Sequence, residues 1–252
     1  MMKMTETVKQ LLIINIIFYI GSNYVGDVAY NMFSMYYPEN PNFKFWQPIT
    51  SMFMHAPVPN FTHILFNMFA LYSFGSALEQ FWGAKKFIFF YISCGLGAAL
   101  LHTGMNYYQY HHALTLFQEA NISPTEITSF LTSGDYNRFT DIVPKSTIEE
   151  LYFSYNTTSL GASGAIYGLL TAFAFMFPDA QLGLMFIPIP IKAKYFVPGI
   201  IAVDLFLGFG GNSLFGSGGT GIAHFAHIGG AITGFLMMWF WKKNQFDKNR
   251  WS

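Results

Sequence analysis

The sequence predicts an all-α membrane protein whose chain crosses the bilayer six times. Three observations lead to this prediction. Hydrophobic residues make up 52% of the 252 residues, charged residues make up only 10%, and the apolar residues collect in six segments. A soluble domain carries roughly 25% charged residues, so 13 basic and 13 acidic side chains are too few to cover a soluble surface.

The six apolar segments are defined by runs of hydrophobic residues and by turn signals such as Pro178-Asp179 that end them. Each has about the length that a membrane-spanning helix requires, although several are short or interrupted by glycine. The segments cover residues 8–25, 61–81, 87–101, 160–177, 195–209 and 222–241.

The basic residues predict the orientation of the chain, because Lys and Arg collect on the cytoplasmic side of a membrane. Ten of the 13 lie near the two termini and in the second and fourth connections. We therefore expect a single membrane domain, 1–252, with both termini in the cytoplasm.

Both long connections then fall on the outer side. Residues 26–60 are rich in aromatic residues and proline, and we expect them to lie in the membrane interface. Residues 105–157 are polar and carry a helix-start signal at Ser123-Pro124-Thr125-Glu126. We interpret this enlarged third loop as a small helical insertion into water.

The composition also argues against several kinds of partner. A net charge of zero disfavours nucleic acid, and a single cysteine, Cys94, excludes an internal disulfide and is expected to pack as a small hydrophobe. We expect no cofactor and no metal site. His102, His111 and His112 have no carboxylate or cysteine at the usual ligand spacing.

Polar side chains inside membrane spans are costly and usually have a function. His63 and Asn67 are four residues apart in the second span and therefore project from one helix face. Ser163 begins the fourth span, and His227 lies in the sixth. We expect Asp204, in the fifth span, to face the helix bundle or a polar cavity.

These groups can be assembled into a hydrolytic site that opens to the outer side. Neutral imidazole is the usual base for a serine nucleophile, which would pair His227 with Ser163. The donors His63 and Asn67 could stabilise an oxyanion. No aspartate is spaced to orient His227, so a two-residue Ser-His dyad is the more economical hypothesis.

The glycines near these residues point to close packing. Gly161 and Gly164 remove bulk beside the serine, and Gly230 and Gly234 form a GxxxG pair that would let the sixth span approach the fourth. Packing alone is also the alternative explanation for the serine motif. His63 and Asn67 could simply link helices by hydrogen bonds, and His227 could be a satisfied interior histidine. The conjunction of all these groups favours a site.

Three motifs in this order resemble the rhomboid family of intramembrane serine proteases. They are His63-Ile-Leu-Phe-Asn67, Gly161-Ala-Ser163-Gly and Ala226-His227-Ile-Gly-Gly230-x-x-x-Gly234. The resemblance implies a six-span rhomboid bundle that hydrolyses a peptide bond in or near a transmembrane helix of its substrate. The six-span layout matches the minimal bacterial form of the family, so we expect the protein in a bacterial inner membrane.

The resemblance also implies a role for individual residues. Ser163 would be the nucleophile and His227 the general base, with Tyr167 stacked on the histidine. His63 and Asn67 would form the oxyanion hole together with the backbone N–H of the serine.

Two features of the loops bear on this resemblance. Gln47 follows Trp46 where the family usually has an arginine, a departure that concerns the stability of the loop more than its chemistry. The glycine-rich stretch 208–221 is expected to cap the site with Phe209, Leu214 and Phe215.

The leading functional hypothesis is therefore an intramembrane endopeptidase that acts on transmembrane proteins within lipid. The alternative is a catalytically inactive rhomboid-like protein that binds client helices, which would tolerate loss of Ser163 or His227. A transporter is disfavoured because the chain has no repeat of fixed period and few charges within its spans. The substrate and the oligomeric state are not determined by the sequence.

Overall fold

A computed structural model describes residues 3–184, 187–210 and 222–242, with backbone alone for 183, 184, 187–189, 210, 222 and 223. All six apolar segments are helical. The helices that contain them are α1 (Glu6–Val25), α4 (Thr62–Ala70) continued by α5 (Ser76–Trp82), α6 (Ala84–Glu119), α9 (Ser163–Met176), α10 (Ala193–Gly210) and α11 (Ile222–Trp241).

The connections contain shorter elements. On the predicted outer side these are α2 (Asp27–Phe33), α3 (Gln47–Thr50) with a 3-10 turn (Ser51–Phe53), α7 (Pro124–Ser133), a 3-10 turn (Asn137–Phe139) and α8 (Lys145–Asn156). Between α9 and α10 lies an antiparallel pair of strands, β1 (Gln181–Leu184) and β2 (Ile187–Lys192), in which Gln181 pairs with Lys192 and Leu182 with Ile191. The prediction of an all-α fold did not include these strands.

The second and third apolar segments differ from simple spans. A π-helical turn, Leu71–Gly75, joins α4 to α5, so this segment is helical throughout with one widened turn. Helix α6 has 36 residues and continues well beyond the apolar stretch 87–101. Its polar second half forms the first part of the predicted insertion, because a helix continues wherever its backbone hydrogen bonds are satisfied.

The start of α1 is held by a carboxylate from α5. Glu79 accepts hydrogen bonds from the backbone N–H groups of Thr7 and Val8 at 3.1 and 3.0 Å, and from the hydroxyl of Thr5. The first N–H groups of a helix have no partner within it and carry a partial positive charge. Glu79 therefore satisfies this helix end and ties the first apolar segment to the second.

The core lies where α6, α9 and α11 meet. Phe87, Phe90, Tyr91 and Cys94 of α6 are fully buried, as is Leu169 of α9. A Cβ added to Gly168 would lie only 2.3 Å from the Cys94 sulfur, so the cysteine packs as a small apolar side chain. The three helices form the scaffold on which the polar residues of the spans are placed.

The insertion has a second, separate core. Phe117 of the long helix packs against Phe130 of α7 and Phe139, and Leu151 of α8 is buried in the same cluster. Ser123 and Glu126 form the predicted helix start as a reciprocal capping box. The segment 105–157 is therefore a compact helical layer.

This layer joins the first long connection. The side-chain amide of Asn40 donates to the Tyr155 carbonyl oxygen at 3.0 Å, and Met35 pairs with Ser159 through two backbone hydrogen bonds of 2.9 and 2.8 Å. Ser159 lies four residues before Ser163. The two long connections thus converge on the end of α9 at which the serine lies.

The outward-facing surface of the helices is apolar. Within the described residues, α1 and α6 are long and apolar enough to cross a membrane by themselves, and α9 is a shorter apolar helix. Large apolar side chains more than half exposed include Ile17, Ile20, Phe89, Leu100, Phe206, Leu236, Trp239 and Phe240. Such a surface is expected where lipid replaces water.

Candidate active site

The backbone just before Ser163, the first residue of α9, has a shape that glycine permits. Gly161 has φ of +124°, which side chains of other residues rarely allow, and its N–H donates to the Ser51 carbonyl oxygen at 2.9 Å. A Cβ on Gly161 would lie 3.0 Å from the His63 ring and 3.6 Å from the Ser163 Oγ. Gly161 therefore keeps open the space between the Ser163 hydroxyl and the His63 imidazole.

Helices α9 and α11 touch backbone to backbone. A Cβ on Gly230 would lie 1.8 Å from the Gly164 carbonyl oxygen, and a Cβ on Gly234 would lie 2.8 Å from the Gly168 backbone. A GxxxG pair on one helix therefore faces a second GxxxG pair on the other. The second pair includes Gly168, which the sequence analysis did not single out.

This close approach brings His227 to Ser163. The His227 Nε2 lies 2.9 Å from the Ser163 Oγ, and its ring stacks on Tyr167 with a centroid separation of 4.3 Å and an angle of 9°. The stacked tyrosine restricts rotation of the imidazole. The structure thus brings together the three residues of α9 and α11 that the sequence analysis had grouped.

Behind His227 lies a carboxylate that the sequence analysis did not include in the site. Asp204 of α10 is buried, and its Oδ1 is 3.2 Å from the His227 Nδ1. The expectation that no aspartate reaches His227 was wrong. The two residues are 23 positions apart on different helices, a relation that no local sequence pattern reveals.

A further histidine contacts the same carboxylate. The Nδ1 of His224, one turn before His227 on α11, hydrogen-bonds the Asp204 Oδ1, and His224 is buried. His224 was not among the site residues predicted from the sequence. The sequence feature that could have identified His224 is its spacing of three residues from His227, because residues three apart on a helix have neighbouring side chains.

His63 directs a hydrogen-bond donor towards the serine. Its Nδ1 accepts the Ala56 backbone N–H at 3.2 Å, so the proton of the neutral ring resides on Nε2. That nitrogen lies at the space beside Gly161 and Ser163. Asn67 is buried, and its amide donates to the His63 carbonyl oxygen at 2.7 Å, so this hydrogen bond stays within α4.

The first long connection supports His63 from behind. His55 is fully buried, and its ring centroid is 5.2 Å from that of His63. Burial, together with the neighbouring His63, lowers the pKa of His55 from 6.5 to about 3. His55 is therefore neutral at physiological pH and adds no positive charge next to the site.

Among the residues that the structure describes, one group of side chains could hold a metal ion. The ligating atoms of Asp204, His224 and His227 all lie within 4.8 Å of one another. The three histidines considered from the sequence lie on a different helix, α6. His111 contacts Glu39 at 3.4 Å, and His112 contacts Glu150 at 3.5 Å. His102 is buried beside Asn106.

The arrangement has the parts that acyl transfer requires. The Ser163 hydroxyl faces one nitrogen of the His227 imidazole, the Asp204 carboxylate contacts the other nitrogen, and the His63 Nε2 borders the space beside the hydroxyl. A profile of the rhomboid domain matches residues 42–122 and 127–244, which is most of the chain and includes all of these groups. The chain belongs to the rhomboid family.

Curated relatives agree with this assignment. The chain is 29% identical over 195 residues to rhomboid protease AarA of Providencia stuartii, covering 76% of this chain and 54% of that protein. It is 28% identical over 198 residues to RHOMBOID-like protein 12, mitochondrial, of Arabidopsis thaliana, covering 79% and 47%. It is 27% identical over 195 residues to Rhomboid protein 1, mitochondrial, of Saccharomyces cerevisiae, covering 77% and 41%.

The chain thus spans about half the length of the curated relatives that it matches. Family membership and the apolar helical fold make this rhomboid an integral membrane protein with an all-α architecture. Its relatives come from a bacterium and from mitochondria, so the bacterial inner membrane and the orientation of the termini stay predictions.

The departure from the family pattern at Gln47 is compensated in this rhomboid. The side chain is fully buried and makes four hydrogen bonds to backbone groups of the loop. Its Oε1 accepts from the N–H groups of Tyr36 and Lys44, and its Nε2 donates to the carbonyl oxygens of Asn31 and Asn42, all between 3.1 and 3.2 Å.

Of the three residues predicted to cap the site, Phe209 packs edge-on against Phe225. The other two, Leu214 and Phe215, lie outside the described residues.

Proposed function

We propose that this rhomboid is an intramembrane serine endopeptidase that hydrolyses a peptide bond in or near a transmembrane segment of another protein. The observation that carries the proposal is the 2.9 Å hydrogen bond between the Ser163 Oγ and the His227 Nε2. A serine hydroxyl is a poor nucleophile until a base accepts its proton. Membership of a family that includes rhomboid protease AarA supports the same reaction.

The carboxylate of Asp204 supports the role of His227 as the base. When the His227 Nδ1 donates its proton to Asp204, at 3.2 Å, the Nε2 lone pair points to the Ser163 hydroxyl. As the Oγ attacks the substrate carbonyl carbon, its proton moves to Nε2. The resulting imidazolium is stabilised by the carboxylate on its other side.

The oxyanion of the tetrahedral intermediate needs donors on the side away from His227. The Nε2–H of His63 faces this space. The backbone N–H of Ser163 is one of the first groups of α9, which have no partner within the helix and lie at the positive end of its dipole. We assign these two donors to the oxyanion, and Asn67 to holding the His63 backbone.

Collapse of the intermediate breaks the peptide C–N bond, and the His227 Nε2 returns the proton to the departing amine. The acyl chain stays on the Ser163 oxygen. A water molecule then gives a proton to Nε2 and attacks the ester carbonyl, which releases the carboxyl product and restores the hydroxyl. Water reaches this site from the outer side, where the connections 26–60 and 105–157 meet.

The experiment that tests the proposal uses the purified protein in liposomes with a labelled transmembrane substrate. We expect cleavage by the wild type and none by Ser163→Ala or His227→Ala. A serine-reactive phosphonate should label the wild type but not Ser163→Ala. Ser154→Ala removes a buried serine hydroxyl in the insertion and is the matched control, which should keep cleavage and labelling.

The same experiment tests the alternative. A rhomboid-like protein that only binds client helices would retain substrate without cleaving it. Phosphonate labelling would then be equal, or equally absent, in the wild type and Ser163→Ala. Either result would refute the protease proposal, because an activated serine reacts with such a reagent even when its natural substrate is unknown.

A further inference from the structure

The carboxylate of Asp204 is shared by two histidines, although orienting a catalytic base requires only one. Its Oδ1 contacts the Nδ1 of His227 at 3.2 Å and also the Nδ1 of His224. No step of the proposed hydrolysis requires His224. Its side chain and that of Asp204 are each only 8–9% exposed, so an additional imidazole is held in a costly buried position.

The three side chains have the composition and the geometry of a transition-metal site. Two imidazole nitrogens and one carboxylate oxygen, with a fourth position open, form a common ligand set for zinc. Ligand atoms about 2.0–2.1 Å from a tetrahedral zinc ion lie about 3.3 Å apart. The oxygen of Asp204 and the Nδ1 of His227 are 3.2 Å apart, and all three ligating atoms lie within 4.8 Å of one another.

The site is also reachable. The His227 side chain is 23% exposed, since it borders the space in front of Ser163 into which substrate and water must enter. The three ligating atoms already lie within 4.8 Å of one another, so coordination of an ion requires only small adjustments of these side chains.

We propose that Asp204, His224 and His227 form an inhibitory site for a divalent transition-metal ion, with zinc as the best-fitting ion. A metal bound to the Nδ1 of His227 takes the place of the proton that Asp204 otherwise accepts. The neutral imidazole then carries its proton on Nε2. That nitrogen no longer has a lone pair for the Ser163 hydroxyl, so the serine is not activated.

Binding of the metal does not depend on the protease proposal, whereas its inhibitory effect does. The first measurement is therefore zinc binding to the purified full chain in detergent, by competition with a chromophoric chelator. We expect one zinc ion per chain. Ser163→Ala should bind zinc like the wild type, because the serine is not a ligand.

The decisive variant is His224→Asn. The amide nitrogen of asparagine can replace the Nδ1 of histidine as a donor to Asp204, but it is a poor zinc ligand. Metal binding weakens about 10- to 100-fold when a group that hydrogen-bonds to a metal ligand is removed. Removal of a ligand itself should therefore weaken zinc binding by about 100-fold or more. Unchanged affinity in His224→Asn, or no binding by the wild type, would overturn the proposal.

A matched control separates this site from the exposed histidines of α6. The double variant His111→Gln/His112→Gln removes the two that lie next to Glu39 and Glu150. It should bind zinc like the wild type, and loss of binding would place the ion on α6 and overturn the proposal. If His224→Asn does not fold, cobalt bound to the wild type must show the absorption of a tetrahedral nitrogen- and oxygen-ligated ion, and its absence would be equally decisive.

The second measurement is proteolysis in liposomes at increasing free zinc. Cleavage by the wild type should fall with a midpoint equal to the dissociation constant for zinc and recover with a chelator, and His224→Asn should resist inhibition. If the wild type binds zinc and cleaves without inhibition, the inhibitory role is refuted. If no variant cleaves at any zinc concentration but binding follows the expected pattern, the protease proposal fails while the metal site stands.

Discussion

The contact between α9 and α11 makes a sharp prediction for Gly230→Ala. A Cβ at this position would lie 1.8 Å from the Gly164 carbonyl oxygen. Ordinary van der Waals contact begins at 3.4 Å, so the two helices must separate by about 1.6 Å at this point. The obstacle is a backbone atom, and no change of side-chain rotamer can relieve the contact.

This separation has two expected consequences. Overpacking of a close contact costs about 1–3 kcal/mol of stability. It also moves His227 away from Ser163, whose hydrogen bond of 2.9 Å would lengthen beyond hydrogen-bonding distance. A displacement of about 1 Å can cost roughly 100-fold in rate, and we expect a loss of at least that size in kcat/KM.

The assay compares cleavage in liposomes and thermal unfolding in detergent for two variants. Gly104→Ala in α6 is the matched control, because a Cβ there meets nothing within 4 Å and the gain in helix propensity is the same. It should equal the wild type in cleavage and be at least as stable. If Gly230→Ala cleaves and unfolds like Gly104→Ala, the reasoning from close packing is refuted.

Three further changes test other parts of the site. Asp204→Asn removes the charge facing His227 and should lower kcat about 10- to 100-fold with KM little changed, because a charge-assisted hydrogen bond contributes about 1.5–3 kcal/mol. An unchanged kcat would contradict the role of Asp204. His55 has its pKa lowered from 6.5 to about 3 by burial, so between these values the unfolded chain binds a proton that the folded chain does not. Stability should fall as the pH drops through this window, and denaturant titrations of His55→Gln should show a shallower fall, whereas identical slopes would refute this cause. Gly161→Ala would place a Cβ 3.0 Å from the His63 ring at φ of +124° and should lower kcat/KM; full activity would show that the space beside the serine is not needed.

Much of the fold could be predicted from the sequence because a bilayer imposes simple requirements on length and composition. The segment 222–241 coincides with α11, and the helix start at Ser123 has the predicted capping box. The third apolar segment was predicted to end at about residue 101 or a little beyond, whereas α6 continues to Glu119. Hydropathy reports contact with lipid, whereas the second half of this helix is stabilised by packing on α7 and α8.

The site was predictable to the extent that its residues lie in short motifs. Ser163 was indicated by its glycine-flanked motif at the start of a span, and Tyr167, one turn later on the same helix, was implied by the family resemblance. Asp204 was not predicted, because a lone acidic residue in an apolar span does not indicate which helix it faces. His224 was also overlooked, because its partner Asp204 lies 20 positions away on α10 and the sequence does not show that the two side chains meet.

By itself, the sequence determined that the chain is a helical membrane protein, which residues of the spans are polar, and where glycine allows two helices to touch. These properties depend on composition and on spacing within one helix. Only the tertiary structure decided that Asp204 lies behind His227, that His224 shares its carboxylate, and that Gln47 stabilises the first long connection. Hydrogen bonds between segments depend on how helices are rotated and stacked in three dimensions, and that arrangement results from packing of the whole bundle.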